Sequence, residues 1–253
     1  MVVSRPLILC YHGLSSTWRS SLAIPVERLE SQLSKLRRRG WTGLTFREAE
    51  RRRSAGTLPE KSVVVTFDDG YASTLDARPV LDELGFPATV FVVTRFVDSG
   101  NPLTWDGIGH WAVSESASEL RTLVWSDLVE LADAGWEVGS HTVTHPRLVD
   151  VDDATLEDEL VESRERIAAQ LGSCDTIAYP YGLADRRVAA AAARAGYRAA
   201  CTLSSFAADE PHLRPRIGMY PSDGPVRSSL KLFRHATGMR VRLGSALAGV
   251  VER

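Results

Sequence analysis

The chain has little that would cross-link it or carry it into a membrane. Its cysteines are three, Cys10, Cys174 and Cys201, an odd number without CxxC spacing. That excludes a disulfide framework and a thiolate metal site, and leaves buried free thiols. No apolar run reaches the roughly 18 residues of a membrane-spanning helix. The longest near the start, Leu7-Ile8-Leu9-Cys10, is too short for a signal-peptide core, so with Met1 as the true start the chain is expected to stay in the cytoplasm. Charge of one sign is also lacking: the net charge is −2, which argues against a nucleic-acid partner. The basic triplets Arg37-Arg38-Arg39 and Arg51-Arg52-Arg53 read as solvated helix ends, where cations complement the helix dipole. There is no internal repeat and no linker composition. What is present, 44% apolar and 25% charged residues over 253 positions, suits one globular domain spanning 1–253.

Strand and helix patterns alternate along it. Leu7–Tyr11, Val63–Phe67 and Ala88–Val93 are apolar runs of the kind buried on both faces of a parallel sheet. Helical spacing runs from Val26 to a stop at Gly40, then up to Gly85, from an N-cap at Ser126 to Gly135, over 152–171, over 184–195, and over 229–236. Further strands are expected at 136–140, 176–179, 197–203 and 213–219. The order favours a parallel sheet or barrel. Residues 94–124 break the rhythm and read as an insertion loop holding Trp105 and Trp111, either a packed cap or a sugar-stacking wall.

Val63–Phe67 delivers Asp68-Asp69-Gly70. Two carboxylates at the end of a buried strand need partners. Neighbouring strand residues point to opposite faces, so the two need different ones. One metal ligand and one acid/base group fit; a helix-capping turn is the simpler alternative. Some seventy residues later, His141 and His145 follow another strand with spacing that lets two imidazoles share a cation, and Pro146 implies a tight turn, not a helix. Strand ends in a parallel α/β fold open on one face, so Asp69, His141 and His145 can converge there. Two nitrogens and a carboxylate suit zinc with an open position, and equally the facial triad of non-haem iron enzymes; helix–strand alternation favours hydrolysis over oxidation. A bound divalent ion lowers the pKa of its water to roughly 7, and Asp68 is placed to take the proton.

The segments TFDDGY (66–71), HTVTHP (141–146) and AYPYG (178–182), in this order, resemble the motifs of the polysaccharide deacetylases, the NodB-homology carbohydrate esterases. LCYHGL near the start, the WSDLVELADAGWEVGSHTVTH block and GYRAACT extend the likeness over most of the chain. The resemblance implies a distorted (β/α) barrel of about seven strands and metal-dependent removal of an acetyl group, usually from an N-acetylated sugar, with zinc as the expected ion. It implies Asp68 as base, Asp69, His141 and His145 as metal ligands, and the Tyr181 backbone N–H as a donor to the oxyanion. Tyr71 and Pro180, inside the motifs, are expected at the substrate. So is the pair Trp105-Asp106, which resembles one seen in some relatives, with a structural cap as the alternative.

Two departures stand out. No arginine precedes Pro180, where many relatives carry one that orients the base; Arg216 is expected to reach the site from the last strand, with Arg214 beside it as the alternative and a strand-end surface charge as the plain reading of both. The leucine-x-histidine motif that often supplies the general acid is missing. His12, at the end of the first strand, and His212 are candidates for it, Asp68 acting twice is another, and His235 is expected to be exposed on a basic helix. A non-sugar amide, an O-acetyl ester, or carbohydrate binding without catalysis are the competing functions. The missing export signal points to a cytoplasmic sugar intermediate, glycolipid or glycoside.

Overall fold

The computed structural model describes residues 5–203 and 210–236. In order the elements are β1 (Leu7–Tyr11), β2 (Gly13–Leu14), β3 (Ala23–Ile24), α1 (Val26–Arg38), β4 (Thr42–Leu44), α2 (Phe46–Ser54), β5 (Ser62–Phe67), α3 (Arg78–Leu84), β6 (Ala88–Val92), α4 (Trp125–Asp133), β7 (Glu137–Ser140), α5 (Asp153–Leu171), β8 (Thr176–Ala178), α6 (Arg186–Arg194), β9 (Ala199–Thr202), β10 (Arg214–Pro215), β11 (Ile217–Gly218) and α7 (Pro225–Ala236).

All pairings in the main sheet are parallel, in the order β10-β9-β8-β7-β6-β5-β1-β11, with β4 also on β5. The two outermost strands are consecutive in the chain. Arg214 and Pro215 pair with Cys201 and Thr202 of β9, while Ile217 and Gly218 pair with Leu9 and Cys10 of β1. One five-residue segment therefore joins both edges and nearly closes a barrel. Counted as one strand, it makes the expected ring of seven. Arg216 lies between its halves, in neither strand.

The residue period of two decides what lies on each side of the wall. Leu7, Leu9, Val63 and Val65 pack outward with Leu29, Leu33, Leu81, Leu128 and Leu160 of the helices. Ile8, Val64, Phe91, Ala178 and Cys201 form a separate cluster on the other face, which is the barrel interior. Both faces being covered, β1, β5 and β6 are buried at every position. The interior is polar at its two ends. At the N-terminal end of the strands, buried Glu137 accepts from the Arg47 N–H (2.7 Å) and the Thr89 hydroxyl (3.0 Å), and also from the Thr176 hydroxyl. The other end holds Asp68, Asp69, His141 and His145, all buried.

Several elements differ from expectation. β4, three residues around Gly43, is too short for periodicity to reveal. A 3-10 turn, Ala72–Ala77, precedes α3. α4 begins at Trp125, because the Asp127 carboxylate takes the Val124 N–H (3.1 Å), so Ser126 is not its N-cap. α7 starts at Pro225, a residue favoured in a first helical turn, ahead of the expected Ser229. Residues 94–124 fold over a cluster of their own, Phe96, Leu103, Ile108 and Leu120 with Trp18 and Tyr71, and Trp111 meets Trp18 edge-on. The three cysteines are buried free thiols. Among the described residues no helix is long and apolar enough to cross a membrane.

Candidate active site

The C-terminal ends of β1, β5, β7 and β8 deliver the polar side chains. β5 ends at Phe67, and the Asp68 N–H still bonds to Tyr11 O (2.9 Å). Asp69 and Gly70 then take successive left-handed conformations, φ 72° and 75°. A Cβ on Gly70 would lie 3.0 Å from Val92 Cγ1, so glycine suits both the torsion and the space. This reversal sends the two carboxylates to different partners. Beyond β7, the turn from His141 to His145 has φ 71° at Thr142 and 66° at His145. Left-handed torsions at non-glycine residues cost about 1–3 kcal/mol each and persist where surroundings enforce them. Tyr181, after β8, is a further case (φ 57°).

Asp69, His141 and His145 each place a ligand atom within 4.8 Å of the others. Asp69 Oδ1 lies 3.3 Å from His141 Nε2 and 3.4 Å from His145 Nε2. Yet this buried oxygen makes no hydrogen bond. His141 Nδ1 lies 2.7 Å from the Ala178 carbonyl. A carbonyl only accepts, so Nδ1 carries a proton, and in the neutral imidazole Nε2 turns a lone pair towards Asp69. Electron-rich atoms facing one another in a buried site need a cation between them, and this donor set fits one.

Cys10, His12 and Asp68 form a second cluster of the same size. It fits an ion poorly, because a buried guanidinium already sets a positive charge against Asp68: Arg216 Nη1 and Nη2 each lie 2.6 Å from one of its oxygens. Burial raises the Asp68 pKa, Arg216 counters it, and the net shift is downward. Arg216 is thus beside the carboxylate, as expected. Arg214 points elsewhere, its Nη2 2.8 Å from Glu50 of α2. The Cys10 thiol lies 3.4 Å from Asp68 Oδ2. His12 is half-buried, and its Nδ1 is buried with no hydrogen-bond partner.

Trp105 stacks on His145 with centroids 4.1 Å apart, and Phe96 packs against the same indole at 5.7 Å in a T-shaped arrangement. Tyr181 approaches the same imidazole at 4.7 Å, and its hydroxyl reaches the Asp106 carbonyl at 3.4 Å. The Asp106 side chain is exposed at the rim. Two expected substrate residues do not face solvent. Tyr71 is wholly buried against Trp18, and Pro180 is buried in the turn that sets up Tyr181, because the motifs that contain them turn these side chains inward. His212 bonds through Nε2 to the Tyr197 carbonyl (2.9 Å), which commits that nitrogen to the backbone. His235 lies in α7, with its side chain outside the described residues.

The family model described as polysaccharide deacetylase matches residues 55–200, which hold all three motifs. The chain belongs to the polysaccharide deacetylase family. YxkH of Bacillus subtilis (strain 168), named for the same family, is 28% identical over 248 residues, covering 97% of this chain and 75% of that one. A poly-beta-1,6-N-acetyl-D-glucosamine N-deacetylase of Staphylococcus aureus is 28% identical over 183 residues; the match covers 68% of this chain and 58% of that enzyme. Among solved structures, the Streptococcus pyogenes deacetylase PplD in complex with acetate superimposes with a TM-score of 0.74 at 24% identity, covering 89% of this chain and 96% of that one, which shows the shared fold.

For this family member, reasoning from sequence missed two residues at the site. Cys10 reads from the sequence only as a buried free thiol, with no place at the site. Glu159 of α5 contacts the turn between the two histidines. Neither has a local signal, because each meets its partner across elements: Cys10 reaches Asp68 58 residues on, and Glu159 reaches back 15 and 16 residues from α5.

Proposed function

We propose that this polysaccharide deacetylase family member removes an acetyl group from an N-acetylated amino sugar, with zinc held by Asp69, His141 and His145. The observation that carries the reading is the unbonded Asp69 Oδ1 between two imidazole nitrogens, beside an Asp68 carboxylate fixed by Arg216. A divalent ion bound there would supply Lewis acidity to the amide carbonyl and lower the pKa of water. Asp68 takes the proton of the attacking water. Arg216 occupies one lone pair on each Asp68 oxygen and leaves another free, so it orients the base without blocking it. The Tyr181 N–H donates to the oxygen where charge develops. His12, half-buried with an unpartnered nitrogen, protonates the departing amine. Trp105 and Asp106 form the wall on which the sugar rests. The printed activity of the Staphylococcus aureus relative, on an N-acetylglucosamine polymer, supports this substrate class.

The test is acetate release from a panel of N-acetylated sugars and O-acetyl esters. Wild type is expected to release acetate from at least one amino sugar, and Asp68→Asn to lose about 10²–10⁴ of that rate, the usual worth of a general base. Acetate from esters alone, or bound metal with no release from any substrate, contradicts the reading.

A further inference from the structure

The turn His141–His145 is organised by one carboxylate from outside it. Every N–H of the turn has an assigned acceptor. His141 N bonds to Val92 O, Thr142 N to Ser140 Oγ, and His145 N to Thr142 Oγ1. The two between, Val143 and Thr144, both donate to Glu159 Oε2, at 2.8 and 2.9 Å. The other Glu159 oxygen accepts from the Thr144 hydroxyl. Glu159 is itself buried on α5, and Ser163, one turn on, donates to its carbonyl and links to Ser140 (2.8 Å) at the end of β7. No amide of the turn is left to pull it into another shape, and the left-handed torsions at Thr142 and His145 are held between fixed ends.

We propose that Glu159 is a positioning residue for the metal site: by clamping Val143 and Thr144 it presets the separation and aim of the two imidazoles before an ion arrives. This rests on the reading of Asp69, His141 and His145 as ligands. Glu159 touches neither ion nor substrate. It does the work that partners of ligating side chains generally do, and their loss typically weakens metal affinity 10–100-fold.

The test measures zinc affinity by competition with a chelator, and the visible spectrum of the cobalt-substituted protein, in the full chain. Glu159→Ala is expected to bind zinc about 10–100-fold more weakly than wild type and to show an altered cobalt spectrum. Glu159→Gln is expected to stay within a few-fold of wild type. Its amide oxygen can take both N–H groups while its amide nitrogen donates to the Thr144 hydroxyl, which rotates to accept. If the alanine variant does not fold, Glu159→Asp keeps the charge, retracts it by one methylene, and is expected to show the same weakening. Wild-type affinity and spectrum in folded Glu159→Ala or Glu159→Asp overturn this inference alone. Equal losses in the glutamine and alanine variants overturn the geometric basis. A wild type that binds no zinc overturns the metal reading and this inference with it.

Discussion

At the scale of single residues, the proposed chemistry turns on what surrounds Asp68. Burial pushes its pKa up and Arg216 pulls it down, with a net lowering. A group lowered in the fold adds stability above its unfolded pKa and loses it as the pH falls. Arg216→Gln removes the counter-charge and leaves burial in control. The acidic limb of the rate profile is therefore expected to move to higher pH, and loss of one partner of a buried pair to cost about 3–5 kcal/mol of stability in urea unfolding. An unmoved limb would show that Arg216 does not set the ionisation of the base. His12→Gln separates the acid from the base. An amine leaves only when protonated, whereas an activated ester leaves unaided. The variant is expected to lose rate on an N-acetyl sugar and to keep most of it on an aryl acetate; equal losses on both would remove His12 from the acid's role.

At the scale of elements, the closing segment 214–218 carries two buried arginines that point to different partners. Arg216 reaches Asp68, and Arg214 reaches Glu50, tying β10 to α2. Glu50→Gln removes the carboxylate charge that Arg214 holds at 2.8 Å and is expected to destabilise, read as a lower urea midpoint. A change below about 1 kcal/mol would mean that water screens the pair, as at an exposed surface. The insertion was legible as a break in rhythm at 94–124. Its contact with the site was not, because stacking of Trp105 on His145 joins segments forty residues apart without any shared pattern. β4 and the β2–β3 ribbon escaped for a simpler reason: two or three residues hold no period.

At the scale of the whole molecule, one end of the barrel holds the buried carboxylate of Glu137 and the other holds those of Asp68 and Asp69. Burial raises the Glu137 pKa above the ordinary glutamate value, against the pull of the Arg47 N–H and the two threonine hydroxyls. A raised pKa means stability that is fully present below the unfolded value of 4.5 and lost as the pH rises through the folded one. Glu137→Gln, which can keep the hydrogen bonds, is expected to abolish that part of the decline; identical pH–stability curves above pH 4.5 in variant and wild type would contradict it. The architecture was readable because β1, β5 and β6 are apolar on both faces, and Asp69, His141 and His145 were readable because they sit at strand ends that a parallel fold must gather. Arg216 was found through the arginine missing before Pro180. Glu159, Cys10 and the inward turn of Tyr71 and Pro180 were not, since burial of a motif residue depends on neighbours that the motif does not contain. The most direct measurement is anomalous diffraction at the zinc edge from crystals equilibrated with zinc. A single strong peak is expected about 2.0–2.2 Å from Asp69 Oδ1, His141 Nε2 and His145 Nε2; no peak there, or one elsewhere in the chain, would contradict the assignment on which the proposed chemistry stands.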